Sequence, residues 1–374
     1  MKPERESRRY FGITRSKGKM YELGIEENSH IKVPDDVVPA ALFPLTVGTL
    51  VDAAALLNDR RDVGKNDLDG DILEELGFAA SFFDAYFEAK FDTALSHEMT
   101  LLGSASYFLG QRPGSSLVLA RKLKIDESDN AVEKMLIWVL QANWNQPLTL
   151  ASHPIRGQLH EVASHLMKHF NDGASVANFD SLLKELLRVT YRDGTSRDLV
   201  LVEVMSAVIK LRIASSAWIL LPRFTNLDDV WASTITQQKF PKELWPSQKL
   251  IGQAGIFAGK SGVIQMPTSA GKTRSVEIIL RSAFLSNRTR VAVLVTPFRA
   301  LCQEVATSLR LSFKGEDVNI NELSDVLQLD FKDTLAKLFG QEPPPTNHIL
   351  VLTPEKFLYA LRQDSNLLRH IGVV

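Results

Sequence analysis

The sequence predicts an α/β protein: a mainly helical region over 34–240, then an incomplete parallel α/β domain from residue 241 to Val374. Three observations carry this. Between Pro34 and Lys239 apolar residues recur at helical spacing, with breaks rich in Gly, Asp, Asn and Pro. From Phe240 short β-branched runs alternate with helical patterns, the sign of a parallel sheet covered by helices. Between the expected strand Gly262–Gln265 and the helical face Val276, Ile279, Leu280, Ala283 and Phe284 stands M-P-T-S-A-G-K-T, Met266–Thr273. Strand, loop and helix in that order are the setting of a phosphate-binding loop.

Composition sets the outer bounds. At 374 residues, with 45% hydrophobic and 23% charged residues, the chain has the balance of an ordinary globular protein of two or three domains. A formal net charge of −1 excludes coating nucleic acid by bulk charge, so any such binding must come from a local groove. Cys302 is the only cysteine; no intrachain disulfide is possible, and a reducing, cytoplasmic setting is the expectation. The longest apolar run, Leu211–Leu221, is broken by Arg212 and falls short of the roughly 18 residues a membrane span needs, so no membrane role is expected. No apolar stretch follows the charged N-terminus, which argues against a signal peptide.

Residues 1–33 form a basic segment carrying Arg5, Arg8, Arg9, Arg15, Lys17 and Lys19. Tyr10–Thr14 and Met20–Ile25 are β-prone and Ser16–Gly18 is turn-like, so a β-hairpin with a charged solvated face is favoured over a nucleic-acid arm. Helices are expected over Ile72–Phe91, His97–Leu109, Ala131–Trp144, Ile155–Phe170, Phe179–Tyr191 and Leu199–Leu221. His160, His165 and His169 invite a metal reading, but the spacing departs from H-E-x-x-H and solvent-facing histidines are favoured. Asp67, Asp69 and Asp71 lack the glycine and glutamate positions of a calcium loop; a capped helix start is favoured. Phe78, Phe82, Phe83, Tyr86 and Phe87 are spaced like one helix face and read as core rather than as a base-stacking platform.

The chemistry lies downstream. A phosphate loop needs backbone N–H groups around one concavity, a lysine for the outer phosphates, and a hydroxyl for Mg²⁺. Thr268, Ser269, Ala270 and Gly271 supply the first, Lys272 the second and Thr273 the third, although Met266 stands where the usual pattern has its first glycine. The run Val291–Val295 and then His348–Leu352 are expected strands, each followed by a Thr-Pro pair able to cap and start a helix: Thr296-Pro297, then Arg299, and Thr353-Pro354-Glu355. Three strand ends with polar clusters would lie on the face where open α/β sheets bind ligands. Between them a strand at Val318–Ile320 and a helix carrying Leu323, Val326, Leu327, Phe331, Leu335 and Leu338 are expected, stopped by Pro343–Pro345.

From Leu244 to Val374 the chain resembles the first RecA-like motor domain of a superfamily 2 DExD/H-box helicase, most similar to the DExH branch that includes the Ski2-like enzymes. L-W-P-S-Q, ending at Gln248, resembles the Q motif, and the resemblance implies that Gln248 reads the adenine. Met266–Thr273 resembles motif I, where a non-glycine first residue is common. T-P-F-R-A-L-C-Q-E resembles motif Ia and T-P-E-K motif Ib, which implies nucleic-acid backbone contacts at Thr296, Pro297, Arg299, Thr353, Pro354 and Glu355. ATP and Mg²⁺ are the implied cofactors, with Lys272 and Thr273 as catalytic residues and Thr273 as a metal ligand. DNA or RNA, in single-stranded form, is the implied partner.

H-I-G-V-V, His370–Val374, resembles the strand that leads into motif II, whose acidic pair would follow; the chain as given is expected to bind ATP without turning it over. A Thr-Gly-Asp found between motifs Ia and Ib in relatives has only Ser324-Asp325 as a counterpart. The region 34–240 has no counterpart in the motifs and is expected to be an accessory module with a possible protein partner. Two alternatives stand beside the helicase reading: another P-loop nucleic-acid motor subunit, and a non-enzymatic interaction protein built on the helical region.

Overall fold

The computed structural model describes residues 12–13, 16–17, 19–21, 23–31, 39–59, 70–88, 96–125, 130–267, 270–323, 346–363, 369 and 371–374. Contacts divide the chain into two compact units, Met1–Ser216 and Ala217–Val374. This division falls before the expected boundary at 240. Ala217, Leu220, Leu221, Trp231, Ile235, Phe240 and Leu244 share one buried cluster with Ile251, Phe257 and Ile278, so the helices 217–225 and 232–235 belong to the C-terminal unit.

The N-terminal unit is helical: α1 (Pro39–Asp59), α2 (Gly70–Glu88), α3 (Ser96–Leu109), α4 (Pro113–Ala120), α5 (Ala131–Gln141), α6 (Arg156–Asp172), α7 (Phe179–Asp193) and α8 (Ser196–Ala214). The centre is α8, which packs against α1, α5 and α7. Leu201, Val202, Val204, Met205, Ala207, Val208 and Ile209 are all buried, which is the behaviour of a helix apolar on every side. Its buried cations are paired: Lys210 Nζ donates to the Asn58 carbonyl at 2.5 Å and lies 3.0 Å from Asp180 Oδ1. The Arg212 guanidinium donates to the Leu140 carbonyl at 2.8 Å and lies over the Phe108 ring.

Several expectations need correction here. Residues 12–13, 16–17 and 19–21 are helical, and Leu23 and Ile25 N–H groups reach back to the Lys19 and Met20 carbonyls, so Met20–Ile25 is no hairpin strand. A β-prone segment without a partner strand has no ladder to join. The expected helix Leu199–Leu221 is two helices: Ser215 Oγ turns back to the Leu211 carbonyl and Ala217 N–H donates to Lys242 O. His169 is buried, with its ring nitrogens 2.8 Å from the Ala174 carbonyl and 2.9 Å from Ser216 Oγ. Among the described residues, no cluster of three or more His, Cys, Asp or Glu is placed to hold a metal ion. Phe82 and Phe83 are fully buried, as the core reading requires; Asp67 and Asp69 lie outside the described residues.

The C-terminal unit contains α9 (Ala217–Thr225), α10 (Ala232–Ile235), α11 (Pro246–Gln253), α12 (Lys272–Leu285), β1 (Val291–Val295), α13 (Arg299–Ser312), β2 (Val318–Glu322), β3 (Asn347–Leu352), α14 (Pro354–Gln363) and β4 (Ile371–Val373). The four strands form a parallel sheet in the order β2-β3-β1-β4. Val295 faces Leu352 and Glu322 faces Val351, so β1, β3 and β2 finish at one edge. Val276, Leu280 and Phe284 of α12 share a core with Ala292 and Leu294, and the short turn from α12 into β1 runs the helix back along the strand. Hence the start of α12, and the loop before it, lies toward the carboxyl ends of the strands.

At the β4 side the register is irregular, and Thr289 is the cause: its hydroxyl donates to the Val291 carbonyl at 2.7 Å and accepts from Gly372 N–H at 3.1 Å. A Cβ on Gly372 would sit 2.5 Å from Thr289 Cβ, so only glycine fits there. The expected buried strand Gly262–Gln265 is absent. Those residues are exposed, Val263 at 99%, and none of the four described strands pairs with them. The expected helix beyond Leu323 falls on 324–345, outside the described residues. Among the described residues, no helix is long and apolar enough to cross a membrane.

Candidate nucleotide and nucleic-acid site

The phosphate-loop candidate is held from one side by α11. Trp245, extended at φ −72° and ψ 160°, precedes Pro246, whose fixed φ suits the first helical position. Gln248, three residues on, accepts the Trp245 N–H on Oε1 at 2.8 Å and turns Nε2 toward the Gly271 carbonyl at 3.4 Å. Ser247 Oγ donates to the Ala270 carbonyl at 2.8 Å. Two consecutive carbonyls of the loop are thus tied to two consecutive side chains of one helix turn.

Gly271 has φ 89°, a left-handed conformation that glycine adopts without penalty, and it precedes α12 as its N-cap. Its carbonyl also accepts from Ser275 N–H at 3.0 Å and Ser275 Oγ at 3.1 Å. Lys272 and Thr273, the first two residues of the 14-residue α12, are exposed. Free N–H groups and the positive end of the helix dipole collect at this point, where anions are favoured. Thr268 and Ser269 lie outside the described residues. Gln248 is 3% exposed, and both ends of its amide are engaged within the chain.

The two Thr-Pro clusters come together as expected. Thr296 N–H donates to the Leu352 carbonyl at 3.0 Å, which continues the ladder one residue past β1 and sets Thr296 beside Thr353. Both threonine hydroxyls, however, are engaged within the chain. Thr296 is 8% exposed, with Oγ1 2.9 Å from Cys302 Sγ and 3.4 Å from the Phe298 carbonyl. Thr353 is equally buried and its hydroxyl is bonded to Glu355. Pro297, Phe298, Arg299, Pro354 and Glu355 are the exposed members. The Glu355 carboxyl is held below its ordinary range by its own backbone N–H and by Thr353, with the positive charge of Arg299 adding to both.

A buried ionic network was not foreseen. Arg281 Nη2 donates to Glu316 Oε1 at 2.9 Å and to the Ser312 carbonyl at 2.7 Å, with the guanidinium 3.9 Å from the Phe313 ring centre. Glu277 receives Arg274 at 2.8 Å and the Ser312 hydroxyl at 2.8 Å, and lies 3.5 Å from Arg281. It clamps the back of α12 to the end of α13, joining the helix of the phosphate loop to the helix that begins at Arg299. The charges at positions 274, 277 and 281 were visible as neighbours on one helix; the distant Glu316 was not.

The candidate loop at the head of α12 lies toward the strand ends that carry the two Thr-Pro clusters. Residues 245–374 match the DEAD/DEAH box helicase family model. Hachiman protein HamB of Bacillus cereus is 25% identical over 163 residues, 42% of this chain and 14% of that protein. ATP-dependent DNA helicase Hel308 of Pyrococcus horikoshii is 29% identical over 132 residues, 35% of this chain and 17% of that protein. Hel308 of Thermococcus kodakarensis is 25% identical over 140 residues, 37% and 11% of the two chains. The matched parts are less than a fifth of the length of these relatives.

Proposed function

We propose that this chain is part of an ATP-dependent nucleic-acid helicase or translocase, and that DNA, the substrate in the Hel308 name, is what it engages. The observation that carries the reading is the seating of Gly271, left-handed and tied to α11, immediately before a 14-residue helix in a segment that matches the DEAD/DEAH box helicases. ATP would lie with its phosphates on the N–H groups of Thr268 to Thr273. Lys272 would meet the outer phosphates with its charge, and the Thr273 hydroxyl would be the chain's Mg²⁺ ligand. Mg²⁺ bound there would neutralise charge on the phosphates. Gln248 and Ser247 would act as supports, holding the carbonyls of Gly271 and Ala270.

The nucleic-acid backbone would run across the joined ends of β1 and β3. Arg299 supplies the phosphate contact, with Pro297 and Pro354 as rigid walls. Thr296 and Thr353 act from beneath, through backbone placement, since their hydroxyls are taken up inside. Such contacts position a strand without reading sequence. Residues 1–216 would form an accessory module that docks a protein partner. The experiment is a salt titration of single-stranded oligonucleotide binding by the chain and by Arg299→Ala. A lost phosphate contact lowers affinity alike on all sequences and reduces the salt slope by about 1. An unchanged slope with unchanged affinity would remove Arg299 from the track.

A further inference from the structure

We propose that Phe298 is a base-stacking residue: its ring takes the face of a nucleobase in the single strand whose phosphates pass Arg299. The inference rests on the nucleic-acid reading and adds to it a contact with the bases, where that reading has only backbone contacts. Phe298 is 70% exposed, and among the described residues 217–374 it is the exposed aromatic side chain; Trp218, Phe224, Trp245, Phe357 and Tyr359 are all at least partly covered. A single exposed apolar side chain needs no explanation by itself. What singles this one out is where it stands and how its backbone is held.

Phe298 is extended, at φ −137° and ψ 148°, between the end of β1 and the start of α13. Its carbonyl accepts from Cys302 N–H at 3.1 Å and from the Thr296 hydroxyl at 3.4 Å, and that hydroxyl is itself 2.9 Å from Cys302 Sγ. The strand end therefore presents the ring on a pinned backbone. The adjoining residue is Arg299, whose charge reaches Glu355 on the neighbouring strand end. A cation and an aromatic face on adjacent residues match the two repeating parts of a single strand, phosphate and base. Every base has a π-face, so the contact tolerates any sequence; it requires an unstacked base, so it favours a single strand over a duplex.

The test compares binding of the chain to a short oligodeoxythymidine and to an abasic strand of the same length at one salt concentration. The parent chain is expected to prefer the strand with bases. Phe298→Ala should weaken binding to oligodeoxythymidine by about thirtyfold, the middle of the range for one stacked base, and leave the abasic strand unaffected. Phe298→Trp should restore the preference, while Arg299→Ala should weaken both strands. Loss on both strands in Phe298→Ala, or on neither, would overturn the stacking role. Equal binding of both strands by the parent would overturn it too and leave the backbone track standing. Binding of neither strand by the folded parent, checked by circular dichroism, would overturn the nucleic-acid reading together with this one.

Discussion

Gln248 and Gly271 fit against each other so closely that neither can change alone: the Gln248 Nε2 atom stands 3.4 Å from the Gly271 carbonyl, and a Cβ on residue 271 would come within 2.9 Å of it. Gly271→Ala meets this contact and also a left-handed φ of 89°, a strain of roughly 1–3 kcal/mol. Gln248→Ala removes the partner of the Trp245 N–H and leaves one more buried polar group unmet, at about 1–3 kcal/mol. Urea unfolding should show both losses, and nucleotide affinity should fall in both because the loop is no longer held. Full stability in Gln248→Ala would mean that α11 does not support the loop.

Arg281 should be the most sensitive charged residue of the C-terminal unit. It is 3% exposed, and its removal strands Glu316 and weakens the setting of Glu277. Arg281→Met is expected to destabilise by about 3–5 kcal/mol, the range for breaking a buried ion pair from one side. Arg274, 45% exposed, is a contrast within the same network: Arg274→Ala should cost about 1 kcal/mol or less. Denaturant midpoints for the two variants separate these outcomes, and similar losses would place the network at the surface.

His169 makes stability depend on pH in a defined direction. Burial lowers its pKa below the ordinary 6.5, with the Ala174 carbonyl opposing. The unfolded chain then binds the proton more readily than the folded one below pH 6.5, so stability falls as pH drops through 6.5 toward the folded-state value and is unaffected above it. His169→Gln should flatten that part of the profile in chemical denaturation. His348, also lowered mainly by burial, contributes a share of the same sign that this substitution leaves in place. An unaltered profile in His169→Gln would contradict the buried, neutral imidazole.

The sheet was legible where side chains alone decide the matter. Val291–Val295 and His348–Leu352 are apolar runs flanked by turn residues, and β1 and β3 cover them to within one residue. Gly262–Gln265 looked the same on paper, yet Val263 is 99% exposed, because a strand also needs a neighbour and no local pattern records one. The sequence through Lys239 reads as helical, but nothing in its periodicity says that Trp231 and Leu221 pack with Phe257 and Ile278 rather than with the helices before them. At the candidate site, spacing singled out Gly271, Lys272 and Thr273 as the phosphate-binding candidates. It could not show that Thr296 turns its hydroxyl to Cys302, or that Gln248 is spent on the backbone of its own loop.

The measurement that tests the central claim most directly is calorimetric titration of MgATP into the chain and into Lys272→Ala. Lys272 is exposed at the head of α12, so the substitution leaves the fold intact and removes only the cation offered to the phosphates. Binding by the parent, weakened by about 1.5–3 kcal/mol in Lys272→Ala, tenfold or more, is the predicted result. Equal affinity in the two chains, or no binding by the folded parent, would contradict a phosphate-binding loop at Met266–Thr273.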